Sequence, residues 1–272
     1  MIHKEVSQML EAQRPALAER IVARIYNRHP GVCKPAGEGR AKSLQDVSYH
    51  LSYLAEAVAA SDPSLFVDYA AWVKVLFAGL GLPEDALTVT LECTRAVLEE
   101  ALPDDAASLV DEYLRSGLEH VRRAPTTPPT FIGGEDSPLV GLARRYLDVL
   151  LRGEREVASR LVLEALEHDA DVKDIYLHVF QPVQREIGRL WQMNRVSVAQ
   201  EHYCTAATQL IMSQLYPHIF ATEKIGRRLL AACVDGELHE IGVRMVADFF
   251  EMEGWDTYYI GANAPTGAIL ST

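Results

Sequence analysis

The chain has 272 residues, 49% of them apolar and 24% charged, enough for about two domains of ordinary globular composition. Its 38 acidic and 26 basic residues leave a net charge of −12, which argues against a surface built to neutralise nucleic-acid phosphates. The polar start MIHKEVSQML excludes a signal peptide, and no apolar run approaches the ~20 residues of a membrane helix, so a cytoplasmic protein is expected. In such a compartment the scattered Cys33, Cys93, Cys204 and Cys233, with no CxxC or zinc spacing among them, are expected as free thiols.

Residues 1–123 read as helix nearly throughout. SQMLEAQRPALAERIVARIYNRH carries apolar residues at helical spacing and stops before Pro30. SLQDVSYHLSYLAEAVAA is expected to start at a Ser43 cap and repeats Val47, Leu51, Leu54 and Val58. DPSLFVDYAAWVKVLFAGLG opens with Asp-Pro and closes on glycines, the expected punctuation of a helix. LPEDALTVTLECTRAVLEEAL and DDAASLVDEYLRSGLEHVRR complete an all-α domain whose size suits a globin-like fold. The Pro-, Thr- and Gly-rich 124–137 then reads as a linker.

From 138 to 220 four more helical segments, joined by short polar turns, predict an antiparallel four-helix bundle. The third runs from Val172 to Met193 and the fourth from Val198 to Ile219, with Ser197 and Gln200 placed to form a capping box. The period changes at 226–272. RRLLAACVDGE predicts a buried parallel strand, HEIGVRMVADFFEMEGW a helix with Ile241, Met245, Phe249 and Met252 on its apolar stripe, and DTYYIGANAP a second strand. The expected fold class is therefore mainly α: an all-α domain, a helical bundle, then the beginning of a Rossmann-like α/β domain. Two strands and one helix are too few for a doubly wound sheet, so the sequence is expected to stop within that domain.

The segment DGELHEIG follows the first predicted strand. Open α/β sheets bind ligands beyond the carboxyl ends of their strands. A carboxylate two residues before a histidine can fix its tautomer and raise its basicity, and Gly242 at the helix start lets a bulky ligand approach the backbone. In isolation, Glu237 and His239 equally describe polar residues at a helix N-terminus.

Placed after a strand and behind a helical bundle, ELHEIG resembles the cobalamin-binding module, whose signature is Asp-x-His-x-x-Gly. The cobalamin-dependent photoreceptors of the CarH type carry Glu in place of that Asp, as this chain does at Glu237. The resemblance implies that His239 ligates the cobalt of adenosylcobalamin from below, displacing the cofactor's own base, with Glu237 as its partner. LWQMNRVSVAQEHYCTA is similar to the Trp…Glu-His pattern in the helical cap of the same photoreceptors. By that likeness Trp191, Val198, Glu201 and His202 frame the upper ligand. Two departures stand out. Gln192 occupies the place of a His that takes the upper cobalt site after photolysis in the light-sensing repressors. The Ser/Thr and Gly-Gly segments that enclose the cofactor tail have no counterpart, so cobalamin affinity should suffer if the molecule ends at Thr272.

Those repressors begin with a DNA-binding helix-turn-helix domain, whereas this first domain is larger and acidic. The order of helical domain, linker, helical cap and cobalamin domain resembles the photocobilins, which pair cobalamin with a bilin. That likeness implies biliverdin as a second chromophore, and His50, Tyr53, Tyr69 and Trp72 are the residues placed to line a flat pocket. No bilin motif or cysteine attachment sequence accompanies them. The expected function is light sensing without enzymatic activity, through a change of cap conformation, of homo-oligomeric state, or of contact with a C-terminal output domain. Two other readings fit the residues: a corrinoid carrier for methyl transfer, and a helical interaction protein with a non-binding α/β tail.

Overall fold

In a computed structural model the chain is described over residues 2–28, 38–133 and 138–270. It divides into two compact units: Met1–Pro128 with Gln192–Asn194, and Pro129–Trp191 with Arg195–Thr272. The division at 128/129 falls inside the Pro- and Thr-rich segment. Residues 29–37, including Cys33 and Pro30, and residues 134–137 of the expected linker lie outside the described residues.

The first unit contains α1 (Ile2–Arg28), α2 (Glu38–Ala59), α3 (Pro63–Gly79), α4 (Ala86–Ala101) and α5 (Asp104–Arg123). Asp62 caps α3 by accepting the Ser64 amide at 2.9 Å, and Pro63 supplies the preset first turn. Helix α2 starts earlier than the sequence suggested. Ser43 is not its cap but an interior residue, whose hydroxyl donates to the Gly39 carbonyl one turn back at 3.0 Å. Apolar faces of all five helices meet in one core that includes Leu10, Ile21, Leu54, Phe66, Leu91 and Leu114.

The second unit begins with α6 (Pro138–Leu151), α7 (Arg155–Glu167), α8 (Val172–Ile175), a π turn at Tyr176–Phe180, α9 (Gln181–Gln192), α10 (Val198–Gln214) and α11 (Tyr216–Ile219). The stretch read as one helix from Val172 changes its hydrogen-bond register before Pro182. Proline has no N–H to give the carbonyl four residues back, and the Gln181 amide reaches Tyr176, five back. Part of the expected linker is no linker. Ile132 is buried in this unit's core, and the Phe131 amide donates to Glu186 at 3.0 Å.

Next come β1 (Arg228–Ala232), α12 (Ile241–Met252), β2 (Asp256–Gly261) and α13 (Thr266–Ile269). The two strands pair in parallel, Leu230 opposite Tyr258. The expectation of a buried β1 is corrected: α12 lies on one face, where Tyr259 bonds to Glu240 at the helix N-cap and Thr257 to Glu251 within the helix, while Leu230, Tyr258 and Ile260 remain exposed on the other. Among the described residues no helix is long and apolar enough to cross a membrane.

Candidate functional site

Strand β1 delivers the chain to a loop, 233–240, that is tied to the end of β2. The Cys233 amide donates to Gly261 at 3.0 Å, the Gly236 amide to the Asn263 side chain at 2.9 Å, and the Asn263 amide to the Glu237 carbonyl at 2.9 Å. Gly236 and Asn263 turn through φ of +83° and +50°, conformations that Gly and Asn adopt more readily than other residues.

On this frame one oxygen of Glu237 accepts both the His239 backbone amide, at 2.7 Å, and the ring Nδ1–H, at 2.6 Å. The backbone bond first, and the ring bond second, hold the Glu237 carboxyl below its ordinary range. An ionised carboxylate only accepts, so the proton sits on Nδ1 and Nε2 carries the free lone pair. The His239 side chain is 95% exposed. A Cβ added at Gly242 meets nothing within 4 Å, so the surface beside the ring at the start of α12 is open. Among the described residues no three His, Cys, Asp or Glu side chains stand together to hold a bare metal ion. A lone imidazole of this kind suits a metal that brings its other ligands with it.

The next residue, Glu240, was not singled out by the sequence. Its carboxylate accepts from Gln209 Nε2 at 2.7 Å, from the Tyr259 hydroxyl at 2.8 Å and from the Ala262 amide at 3.0 Å. Gln209 is the leading cause that holds the Glu240 carboxyl low. The side chain adjacent to His239 thus joins α10, β2 and the loop after it. One turn on, Arg244 is buried and reaches the Gln209 carbonyl, the Ser213 hydroxyl and the Tyr216 hydroxyl at 2.9–3.1 Å. A further turn on, buried Asp248 accepts from Tyr176 in the π turn at 2.8 Å. Burial raises the Asp248 carboxyl, opposed by the Tyr176 bond and the Arg244 charge. Helix α12 therefore buries a charged stripe at four-residue spacing beside its apolar one, and that spacing was the signal available in the sequence.

The residues expected around an upper ligand lie at the end of α9 and the start of α10. Trp191 is partly buried and Val198 is 53% exposed. The Ser197–Gln200 capping box forms as the sequence predicts. Glu201 accepts from Thr205 at 3.0 Å and binds His202 Nδ1 at 2.5 Å, leaving the His202 side chain 75% exposed. Thr205 also bonds to Gln184, which donates to buried Thr208, itself paired with Tyr146 at 3.0 Å. Glu201 and Gln209 stand two turns apart on α10, about 12 Å along the axis. A single helix thus carries Glu201 at one point and the anchor of the His239 loop at another.

In the first unit His50 is 3% exposed, and its Nδ1 lies 2.7 Å from the Tyr69 hydroxyl. Tyr53 stacks on Tyr69 with centroids 3.8 Å apart. A cavity of about 150 Å³ adjoins His50, but the other three expected residues do not line it: Tyr53 and Trp72 are half-exposed, and Tyr69 is bonded to His50 without lining the cavity. Cys93, Cys204 and Cys233 are buried free thiols, and burial pushes Cys204 up to about 11.

With this geometry in place, two sequence families match the chain in separate stretches. Residues 142–216 match a family described as B12 binding domain, and residues 3–120 one described as Phycobilisome protein. The first unit, a helical domain, is thus similar to phycobilisome proteins, and the helices of the second unit are similar to B12-binding domains, within a mainly α fold. A curated relative, the HTH-type transcriptional repressor CarA of Myxococcus xanthus, is 27% identical over 163 residues, 60% of this chain and 53% of the repressor. The chain thus spans about half the length of the curated relative it matches.

Proposed function

We propose that this chain is a light sensor that holds adenosylcobalamin through His239 and a bilin in its first unit. The observation that carries the cobalamin half is the Glu237–His239 pair, with Nδ1 engaged and Nε2 facing outward, on a loop that follows a B12-type helical bundle. When bound, the cofactor supplies a cobalt–carbon bond that green light breaks. His239 would hold the cobalt, and Glu237 would keep the imidazole in the one tautomer able to do so. Trp191, Val198, Glu201 and His202 would contact the light-labile group that the cofactor carries. Release of that group by light would take a contact away from these side chains, and a contact that differs between dark and lit states is what shifts a conformational equilibrium. The cap then moves, and with it the association of protomers or of an output domain. The match to phycobilisome proteins supports the bilin, and the repressor relative supports a regulatory rather than an enzymatic role.

Gln192 offers no imidazole, so His202, whose Nδ1 is already held by Glu201, is the side chain that would offer a nitrogen to the cobalt after photolysis. Absorption, particle size and hydrogen exchange before and after green light, for wild type and His202→Ala, test this sequence of events. Light-dependent changes in size or exchange are expected, with an altered photoproduct spectrum in the variant. A bis-His photoproduct in His202→Ala removes His202 from the scheme. Clean photolysis with no change in size or exchange means cobalamin is not the switch.

A further inference from the structure

The cavity beside His50 holds a polar pair that the fold leaves unused. His50 Nε2 is buried and has no hydrogen-bond partner among the described residues, although an imidazole N–H left unpaired in the interior carries a desolvation cost. Its other nitrogen is engaged by Tyr69. A phenol is the stronger acid and an imidazole nitrogen the stronger base, so the Tyr69 O–H donates to Nδ1 and the His50 proton sits on Nε2 as a donor. Burial keeps the ring neutral, its pKa lowered to about 4.

Asp46 lies four residues earlier on α2, on the same helix face, and lines the same cavity. The other hydroxyls there are already engaged. Thr90 donates to the Ala86 carbonyl at 2.9 Å, and Ser43 to the Gly39 carbonyl at 3.0 Å. Tyr26, whose hydroxyl lies 3.3 Å from that of Ser43, and Lys42, whose charge acts on Asp46, also line the cavity, and the rest of its wall is apolar: Val22, Ile25, Val47, Phe77, Leu80 and Leu82. The buried His50 donor and the Asp46 acceptor, a helical turn apart beside these apolar side chains, match a group that presents a carbonyl next to an N–H.

We infer that this cavity is a binding site for a single lactam ring, its carbonyl accepting from His50 Nε2 and its N–H donating to Asp46. The volume, about 150 Å³, sets the size. An apolar cavity of about 150 Å³ accepts a benzene-sized guest, so one ring enters and a whole tetrapyrrole does not. Two sources share this chemistry. One is the terminal lactam ring of a linear tetrapyrrole whose remaining rings lie outside, and that source rests on the bilin reading above. The other is a free monocyclic lactam.

The test uses the full chain with ¹⁵N-labelled histidine, titrated with 2-pyridone and, separately, with biliverdin. Saturable binding of 2-pyridone that shifts the His50 Nε2 resonance is expected, weakened at least tenfold by His50→Leu and by Val47→Phe, which fills the cavity while keeping His50. If 2-pyridone also competes with biliverdin, the ring belongs to the bound bilin. If 2-pyridone binds without competing, or binds while biliverdin does not, the cavity takes a free lactam and the bilin reading of this pocket fails while the inference stands. If biliverdin colours the protein but is indifferent to both variants, and 2-pyridone leaves His50 unmoved, the inference is overturned and the bilin reading survives. If neither compound binds, both fall.

Discussion

The two histidines that matter in this molecule are held in the same way and put to opposite uses. In each, Nδ1 is fixed by an oxygen at hydrogen-bond distance, 2.6 Å to Glu237 for His239 and 2.7 Å to Tyr69 for His50, so that Nε2 points at whatever comes next. The partner and the surroundings differ. His239 has an ionised carboxylate behind it and stands 95% exposed, so its outer nitrogen is a basic lone pair open to a bulky metal complex. His50 has a neutral phenol behind it and is 3% exposed, so its outer nitrogen is a proton donor in a small apolar cavity. Fixing one ring nitrogen leaves the chemistry of the other to its partner and to burial.

Breaking the exposed arrangement should have the larger effect. His239→Ala should cost more than about 100-fold in adenosylcobalamin affinity, since a removed ligand exceeds the 10–100-fold typical of a lost ligand partner. Equilibrium titration by absorption checks it.

The buried arrangement should show itself in pH. An unfolded histidine titrates near 6.5, whereas burial holds folded His50 at about 4. Between those values the unfolded chain binds a proton that the folded chain does not. The stability of the first unit should therefore fall as pH drops from 6.5, by about 3 kcal/mol once pH is below 4. Tyr69, bonded to the ring, and Tyr26, Lys42 and Asp46, which line the cavity beside it, are the other ionisable groups there, and half-buried Asp46 is shifted the other way, upward, first by burial. Denaturant titrations at stepped pH should show the His50 component vanish in His50→Leu.

A smaller effect sharpens the role of the carboxylate. Glu237→Ala leaves His239 in place but frees its tautomer, so affinity should drop about 10–100-fold, less than for His239→Ala. Equal losses in both variants would mean that Glu237 acts by shaping the loop. The smallest effect concerns the frame alone. Ser197→Ala removes the capping box at the start of α10 and should cost about 1 kcal/mol of stability in the second unit, read from its unfolding midpoint, with the pH response of His50 unchanged.

What the sequence revealed follows the range of the interactions. Elements bounded by local chemistry were legible: Asp62-Pro63 opens α3, Ser197 and Gln200 open α10, and the period change after 220 marks the parallel βαβ unit. The start of α2 was misplaced because Ser43, a good cap by type, spends its hydroxyl on the preceding turn. Within the site, Glu237 and His239 are two residues apart and could be read together. Glu240 could not, because its partners Gln209, Tyr259 and Ala262 come together only when α10 and the sheet pack on α12. His50 was visible as one of several aromatic and polar-aromatic residues, but its unpaired nitrogen and the cavity beside it exist only once α1, α2 and α3 have met. The stacked Tyr53 and Tyr69 rings and half-exposed Trp72, read as a pocket wall, lie outside that cavity for the same reason.

The central claim is that His239 Nε2 is a cobalt ligand. The most direct test is to titrate the dark chain with adenosylcobalamin labelled with ¹⁵N in its own base, photolyse it without oxygen so that homolysis of the cobalt–carbon bond leaves paramagnetic Co(II) while a scavenger takes up the adenosyl radical, and record the electron paramagnetic resonance spectrum. The account predicts axial nitrogen splitting from an unlabelled imidazole, lost in His239→Ala. Splitting from the labelled base, or an unchanged spectrum in the variant, would contradict it.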